Sequence, residues 1–286
     1  MNDSVNPTLF ETLRPEHPTR IIDIGANPQD DTTCYRPLLT LGAARLIGFE
    51  PQTEALQQLN RNRRTEATYR PDLLADGQTH TLRVCHASVM TSLLEPDTRV
   101  CAQFQVFDQL TRVQQRLPVQ TRRLDDIPEI DPIDYLKINA CGSEKMVLEH
   151  GRDKLAEVAV IQLEVPFIPL YHHQPTFGEL DLLLRSMGLI PHTLLTMKRW
   201  CVKPLIINQD PRIPLNQILV AEMVYVADFL HPEMLSDAQL VQLSLILHYC
   251  HQSYDVVLRC LMELANRQRI DPNPDHWYLP LCQTPD

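Results

Sequence analysis

Residues 20–51 constrain the fold of this chain more than any other segment. A short β-branched run around Ile22 leads to Gly25, a helical stretch follows, and a second apolar run ends at Glu50. Such runs are typical of strands buried on both faces, and Gly25 permits a turn that other residues avoid. Glu50 stands where a strand tip can accept hydrogen bonds from ribose hydroxyls. The order predicts a doubly wound α/β sheet with a nucleoside-like ligand across its strand ends.

The turn after the first strand indicates the charge of that ligand. The dinucleotide pattern G-x-G-x-x-G would need glycine where Asn27 and Asp30 stand. An acidic turn with one glycine repels a pyrophosphate, which disfavours a nicotinamide-dependent oxidoreductase. S-adenosylmethionine, with its sulfonium and amino groups, fits this turn better. The alternative is a strand-turn-helix start that binds no ligand.

The composition is that of an acidic globular protein. The chain has 286 residues, 44% of them hydrophobic, and a formal net charge of −10, so we expect no nucleic-acid partner. No signal peptide and no apolar run near the roughly 20 residues of a membrane span are present, so we expect a cytoplasmic protein. The eight cysteines form no C-x-x-C pair, and His248, Cys250 and His251 fall on different faces of a predicted helix. The sequence therefore predicts neither a metal site nor a disulfide framework.

Helical and extended patterns alternate over residues 1–230, which predicts one mostly parallel sheet covered by helices, after about 19 lead-in residues. Residues 231–286 are predicted to form a C-terminal extension of two amphipathic helices, with an irregular tail from Asp271. The helical pair is expected to pack on the sheet or to join a second copy in a homodimer. Predicted strands lie at 20–25, 45–50, 67–70, 79–85, 119–124, 135–138, 158–165, 189–195 and 218–228, and predicted helices at 34–42, 53–62, 143–155 and 177–187.

Two loops are long enough to cover a ligand. Residues 88–97 have no clear period, and the segment from Lys198 to Pro214 has the length of a lid. Tyr171 and Trp200 can offer aromatic faces to a sulfonium or a sugar ring, or can pack in the core.

Carboxylate and amide side chains recur at the carboxyl ends of the predicted strands, where open α/β sheets bind ligands. Each also has a structural explanation. Asp23 can bond its own turn, Glu144 can complement a helix dipole, and Glu164 can form a buried ion pair. Their convergence favours a binding site, and the full set is Asp23, Asn27, Glu50, Asn139, Glu144 and Glu164.

A series of short segments matches a known family in order and spacing across roughly residues 20–260. They are Ile22-Asp-Ile-Gly-Ala-Asn27, Gly48-Phe-Glu-Pro51, Thr91-Ser-Leu-Leu-Glu-Pro96, Arg123-Leu-Asp-Asp126, Asp134-Tyr-Leu-Lys-Ile138 with Gly142-Ser-Glu144, Ile161-Gln-Leu-Glu-Val165, Pro169-Leu-Tyr171, Pro175-Thr-Phe-Gly-Glu-Leu-Asp181 and Glu222-Met-Val-Tyr-Val-Ala-Asp228. On these segments the chain resembles the FkbM-type family of S-adenosylmethionine-dependent methyltransferases.

The resemblance implies a Rossmann-like class I methyltransferase fold with S-adenosylmethionine as cofactor. The family's usual acceptors are hydroxyl groups of sugars, polyketides and other secondary metabolites, so the implied function is O-methylation of a small-molecule or glycan acceptor. The resemblance places the methionine part of the cofactor near Asp23, Gly25 and Asn27. It places the ribose at Glu50 and Pro51 and the adenine near Asp72 and Leu73, with Asn139 at the next strand end.

Two departures from the family pattern bear on catalysis. Gln29 replaces a usual glycine, and Asn139 and Cys141 replace two usual carboxylates at the tip of the fourth sheet strand. An amide and a thiol are poor ligands for a hard divalent cation, so no metal is expected. Asn139 cannot take a proton, which leaves candidate general bases for a hydroxyl acceptor at Glu164, His172 and His173. The alternative is a catalytically silent relative that keeps the cofactor pocket and acts as a partner subunit.

Overall fold

The computed structural model describes residues 8–28 and 33–282. Within these ranges the strands form a seven-stranded and a two-stranded sheet. They are β1 (Thr19–Ile24), β2 (Ala44–Phe49), β3 (Ala67–Arg70), β4 (Thr79–Cys85), β5 (Val113–Gln120), β6 (Tyr135–Ile138), β7 (Val160–Pro166), β8 (Leu189–Trp200) and β9 (Gln217–Ala227).

The main sheet has the strand order β3-β2-β1-β6-β7-β9-β8. β1 pairs in parallel with β2 and β6, while β9 runs antiparallel to β7 and β8. The order reverses between β1 and β6, so their carboxyl ends frame the crevice in which open α/β sheets bind ligands. The predicted doubly wound, mostly parallel sheet is confirmed.

The central strands carry polar residues on one face of an otherwise apolar sheet. All four residues of β6 are buried, including Lys137. Asp23 of β1, Lys137 of β6 and Gln162 of β7 lie in register on neighbouring strands and therefore share a face. Buried polar groups need internal partners, so this row indicates specific hydrogen bonds beneath the strand tips.

The second sheet is an antiparallel pair, β4 with β5. β4 has the predicted bounds, whereas β5 begins at Val113 and not at residue 119. This pair and the segment between its strands stand next to the carboxyl edge of the main sheet. The isolated bridge between Pro96 and Tyr171 links the segment to the loop after β7.

Helices cover both faces of the main sheet. α7 begins with a reciprocal capping box between Thr176 and Glu179, and Gly188 follows its end with φ of +80°. α6 ends at Glu149, well before the predicted residue 155, and Gly151, a poor helix former, follows two residues later. The helices are α1 (Leu9–Leu13), α2 (Arg36–Thr40), α3 (Thr53–Arg61), α4 (Thr98–Cys101), α5 (Phe107–Leu110), α6 (Glu144–Glu149), α7 (Phe177–Ser186), α8 (Asp237–Ile246), α9 (Tyr254–Asn266) and α10 (Pro274–Tyr278).

The C-terminal helices share the main hydrophobic core. Gln242 of α8 accepts a hydrogen bond from the Thr19 hydroxyl at 2.7 Å and donates to the His17 carbonyl at 3.2 Å. α8 therefore packs on the chain's own sheet, at the start of β1. The prediction of an irregular tail is wrong over Pro274–Tyr278, which form α10.

His248 and His251 lie in a π-helical turn, Leu247–His251, after α8. His248 Nδ1 lies 3.1 Å from the Tyr278 hydroxyl, and His251 Nε2 lies 3.4 Å from the Tyr135 hydroxyl. The two rings thus have different partners. None of the described helices is both long and apolar enough to cross a membrane.

Candidate functional site

The tips of β1 and β6 touch through their backbones. Gly25 has φ of +80°, and a Cβ atom on it would lie 2.1 Å from the carbonyl oxygen of Asn139. The Asn139 amide in turn donates to the Ile24 carbonyl at 2.8 Å. No side chain fits at Gly25, because the Asn139 backbone already fills that space, so only glycine lets the two strand tips pack this closely. Asn139 itself is exposed.

Asp23 lies beneath this turn and is buried. The Tyr35 hydroxyl donates to its Oδ2 at 2.5 Å, and Lys137 Nζ lies 3.4 Å from its Oδ1. Both carboxylate oxygens therefore have protein partners. The predicted contact between Asp23 and the cofactor stays a prediction, and the geometry supports a role in fixing the turn.

Glu50 stands at the tip of β2, beside the turn. Its Oε1 accepts from the Gln52 amide at 2.7 Å, and burial raises the pKa of this carboxyl. Its backbone amide donates to the Arg70 carbonyl at 3.0 Å, which fixes the strand tip. Pro51 follows and is exposed. The position suits the predicted ribose contact.

Asp72 follows β3 and bridges two arginines. Arg70 Nε and Arg122 Nη1 lie 2.8 Å and 3.1 Å from its two oxygens. Burial alone would raise the pKa of Asp72, but the hydrogen bonds from both arginines together lower it. The carbonyl of Leu73 accepts from the Arg122 amide at 2.9 Å. The region in which adenine is predicted to bind therefore contains charged side chains that are already paired with one another.

Asn27 follows the turn at Gly25 and is exposed. Asp30, on which the exclusion of a pyrophosphate partly rests, lies outside the described residues, and so does Gln29, which replaces a usual glycine of the family.

The loop of residues 139–143 after β6, here called the tip loop, is held in a left-handed conformation. Cys141 and Gly142 have φ of +47° and +103°. The Cys141 carbonyl accepts from the Ser92 hydroxyl at 2.6 Å, and its thiol donates to the Val89 carbonyl at 3.1 Å. Burial raises the pKa of this thiol to about 12, so it stays a neutral group at physiological pH.

Glu144, the first residue of α6, closes the tip loop from below. Its Oε1 accepts from the amides of Ala140 and Gly142 at 3.1 Å and 3.2 Å. Its Oε2 is buried and has no hydrogen-bond partner in the part of the chain that the structure describes. Burial raises the pKa of Glu144 to about 7, against the lowering effect of the backbone bonds.

Two loops, residues 88–97 and the Pro-rich residues 167–175 after β7, form a cap over the tip loop. The Asp97 amide donates to the Leu170 carbonyl at 2.9 Å, and the His172 amide donates to the Glu95 carbonyl at 2.8 Å. The Tyr171 hydroxyl donates to the Met90 carbonyl at 2.9 Å. Residues 88–97, predicted to cover a ligand, are thus tied to the Pro-rich loop after β7.

The three predicted catalytic side chains do not form a cluster. Glu164, on β7, is ion-paired with Lys198 of β8. His172 Nδ1 lies 3.6 Å from Asp97 Oδ2, and His173 is exposed with φ of +61°. No described contact joins either histidine to Glu164, so only Glu164 stands on the strand edge near the tip loop.

The two predicted aromatic faces are packing residues. Tyr171 is buried in the cap. Trp200 packs edge-on against Phe107, with ring centroids 4.9 Å apart, and its indole donates to the Gln105 carbonyl at 2.8 Å. β8 continues to Trp200, so the predicted lid is shortened to residues 201–216.

Several groups of the site were not predicted. These are Lys198, which pairs with Glu164, and Tyr35, which donates a hydrogen bond to Asp23. The unpartnered Oε2 of Glu144 was not predicted either. A lysine inside the apolar strand β6 was the available signal for a buried ion pair at Lys137. Among the described residues, no group of three histidine, cysteine, aspartate or glutamate side chains is placed to hold a metal ion.

Comparison with known proteins identifies the family. The methyltransferase FkbM domain matches residues 23–190, which is more than half of the chain. No curated protein matches the chain significantly.

Several solved structures overlap partly with this one. A methyltransferase FkbM from Methylobacillus flagellatus has 16% identity and a TM-score of 0.41, over 73% of this chain and 43% of its own. This chain thus spans less than half the length of that protein. A precorrin-6y C5,15-methyltransferase from Geobacter metallireducens has 12% identity and a TM-score of 0.39, over 76% of this chain and 85% of its own. A magnesium protoporphyrin IX methyltransferase from Synechocystis, solved with bound SAM, has 10% identity and a TM-score of 0.34, over 74% of this chain and 71% of its own.

The structural overlaps are low, and the assignment rests on the sequence match. That match runs from β1 into β8 and so includes the turn at Gly25, the tip of β2 at Glu50 and the tip loop. The chain belongs to the FkbM family of methyltransferases.

Proposed function

We propose that this protein transfers a methyl group from S-adenosylmethionine to a hydroxyl group of a sugar or a secondary metabolite. The observation that carries the proposal is the contact of Gly25 with the Asn139 carbonyl at the strand-order reversal. It packs the two strand tips closely together at the head of the crevice, with the carboxylate of Glu50 on the next tip. This is the arrangement in which a nucleoside lies across the strand ends.

The residues present fit this cofactor. A side chain at Gly25 would collide with the Asn139 backbone and disturb the crevice, and the acidic surroundings of Asp23 and Glu50 suit a cation better than a pyrophosphate. We propose that the methionine part lies at Gly25 and Asn27, with Asp23 fixing their turn from below. The remaining contacts are proposed at Glu50 and Pro51 for the ribose, Asp72 and Leu73 for the adenine, and Asn139 beside them.

The chain's own contribution to the reaction is chiefly positioning. S-adenosylmethionine supplies an electrophilic methyl group when bound, and an acceptor oxygen must approach it in line. The cap of residues 88–97 and the Pro-rich loop closes one side of the tip loop. The acceptor is therefore proposed to approach over β7 and β8, where Glu164 and Lys198 can hydrogen-bond it. The roles of His172 and His173 stay predictions, and the contact of His172 with Asp97 favours a structural one.

Calorimetry with S-adenosylhomocysteine and with NAD tests the cofactor part of the proposal. We expect S-adenosylhomocysteine to bind and to raise the unfolding temperature by mass action, and NAD to do neither. Transfer of a labelled methyl group to a panel of methyl glycosides and phenolic metabolites tests the acceptor part. Binding without transfer to any acceptor of the panel would favour the silent-relative alternative, which rests on Asn139 and Cys141. A cytoplasmic location and a homodimer through the C-terminal helices stay predictions.

A further inference from the structure

Glu144 is a buried carboxylate that is only half satisfied. Two amides of the tip loop, from Ala140 and Gly142, hold its Oε1. Its Oε2 is buried without a hydrogen-bond partner among the described residues. Leaving a buried polar group unpaired costs about 1–3 kcal/mol, and more for a charged one. A group of this kind in a folded protein needs an explanation, and a catalytic role or a bound water or ion is a common one.

The groups around Glu144 do not supply the missing bond. Those that interact with it electrostatically are Cys141 on its own tip loop, Tyr171 in the cap and Glu164 on β7. The thiol of Cys141 donates to Val89 and the hydroxyl of Tyr171 donates to Met90, so both point away. Glu164 is an anion paired with Lys198 and cannot donate.

The other side chains of the strand tip cannot take a proton from an acceptor. Asn139 is a neutral amide, and the thiol of Cys141 is held neutral by burial. Lys198 already occupies the carboxylate of Glu164. In residues 139–144, all of which the structure describes, Glu144 is therefore the one carboxylate beside the crevice between β1 and β6.

We propose that Glu144 is the general base that takes the proton of the acceptor hydroxyl. The inference rests on the proposed function. As the acceptor oxygen forms its bond to the methyl carbon, the carbon–sulfur bond breaks and its electron pair stays on sulfur. The hydroxyl proton moves to Oε2 of Glu144, while Oε1 keeps its two amide bonds and holds the tip loop in place.

The cap packs closely on the tip loop beside Glu144. The side chains of Leu94 and Gln174 pack against Gly142, where an added Cβ would lie 2.9 Å and 3.5 Å from them. Both residues belong to the two loops of the cap, which therefore covers this side of the tip loop.

The proposal is tested by counting protons during cofactor binding, which needs no acceptor. A sulfonium beside Glu144 favours its ionised form, so binding of S-adenosylmethionine should expel the proton that Glu144 holds. Because burial raises the pKa of Glu144 to about 7, its carboxyl holds a proton in part of the molecules near neutral pH. Calorimetric titrations at pH 7, made once in phosphate and once in Tris, measure how many protons are released when the ligand binds. The neutral S-adenosylhomocysteine should release less than S-adenosylmethionine.

Two variants isolate the contribution of Glu144. Glu144→Gln keeps an oxygen for the two amides but cannot titrate. It should therefore abolish the difference in proton release between S-adenosylmethionine and S-adenosylhomocysteine. Any release from the amino group of the ligand itself remains and is subtracted. Glu149→Gln, at the exposed end of the same helix, is the matched control and should behave as the parent. An unchanged proton count in Glu144→Gln would overturn the proposal.

Difference infrared spectroscopy of the parent protein covers the case in which Glu144→Gln does not fold. The band of a protonated carboxylic acid should disappear when S-adenosylmethionine binds, and a constant band contradicts the proposal. The two proposals fail separately. Absence of S-adenosylhomocysteine binding defeats the proposed function, whereas normal binding without a proton linked to Glu144 defeats only this one.

Discussion

The carbonyl oxygen of Asn139 lies 2.1 Å from the position that a Cβ atom on Gly25 would take. The contact is between two backbones, so neither can yield by a change of rotamer. It joins β1 to β6 at the point where the strand order reverses. The crevice therefore has a rigid floor, and the ligand-facing turn depends on the absence of one side chain.

Gly25→Ala should abolish S-adenosylhomocysteine binding and destabilise the protein. The added methyl meets backbone, and an alanine at positive φ costs about 1–2 kcal/mol before the clash is counted. Thermal unfolding and calorimetry measure the two effects. Gly178→Ala, in α7 with open space around its Cβ position, is the control and should unfold at or above the parent temperature. Unimpaired ligand binding by Gly25→Ala would show that the pocket lies elsewhere.

Glu50→Ala should weaken S-adenosylhomocysteine binding with little change in the free energy of unfolding. Charge-assisted hydrogen bonds to two ribose hydroxyls are worth about 1.5–3 kcal/mol each, so the dissociation constant should rise at least tenfold. Calorimetry measures the affinity, and chemical denaturation the stability. Glu54→Ala, at an exposed position of α3, should bind as the parent does. Equal affinities of the Glu50 and Glu54 variants would remove Glu50 from the site.

Glu144 should make stability decrease as the pH rises toward neutrality. Burial raises its pKa from 4.5 to about 7 in the folded state. Below pH 4.5 both states hold the proton, and between these values only the unfolded chain loses it, so the unfolding free energy falls and then levels off. The loss should be on the order of 3 kcal/mol. Denaturation at several pH values should show this fall in the unfolding free energy in the parent and in Glu149→Gln, but not in Glu144→Gln. If the fall persists in Glu144→Gln, another group causes it.

Methyl transfer should survive removal of divalent cations. Asn139 and Cys141 offer an amide and a thiol where magnesium would take carboxylate oxygens. Production of S-adenosylhomocysteine, measured with an acceptor from the panel before and after EDTA, checks this. Activity that is lost with EDTA and restored by magnesium or manganese would mean that the acidic groups of the crevice bind a cation.

The strands that carry the site could be predicted from the sequence because burial on both faces imposes continuous apolar runs. β6 has the predicted bounds, and β1 and β2 differ by one residue at each end. Prediction was weaker at β8, an edge strand with register shifts and polar side chains, which runs five residues past the predicted residue 195. Edge strands lack the second buried face that gives the pattern its strength.

The sequence predicted which residues lie near the site, but not which groups they bond to. Strand ends placed Asp23, Glu50 and Glu164 on one edge of the sheet. Which oxygen meets Tyr35 or Lys198 depends on tertiary packing between segments that are far apart in the chain. The orphan oxygen of Glu144 is likewise invisible in a sequence, since it depends on where two other loops place their own donors.

The hydrogen bonds between Gln242 of α8 and Thr19 and His17 bear on the order of folding during synthesis. β1, which leads into the turn at Gly25, leaves the ribosome more than two hundred residues before α8. Since domains fold as units while the chain is made, the start of β1 has to wait for α8 before its polar groups find their partners. A chain halted before α8 therefore exposes the unfinished lower end of its central sheet, where chaperones and proteases can recognise it.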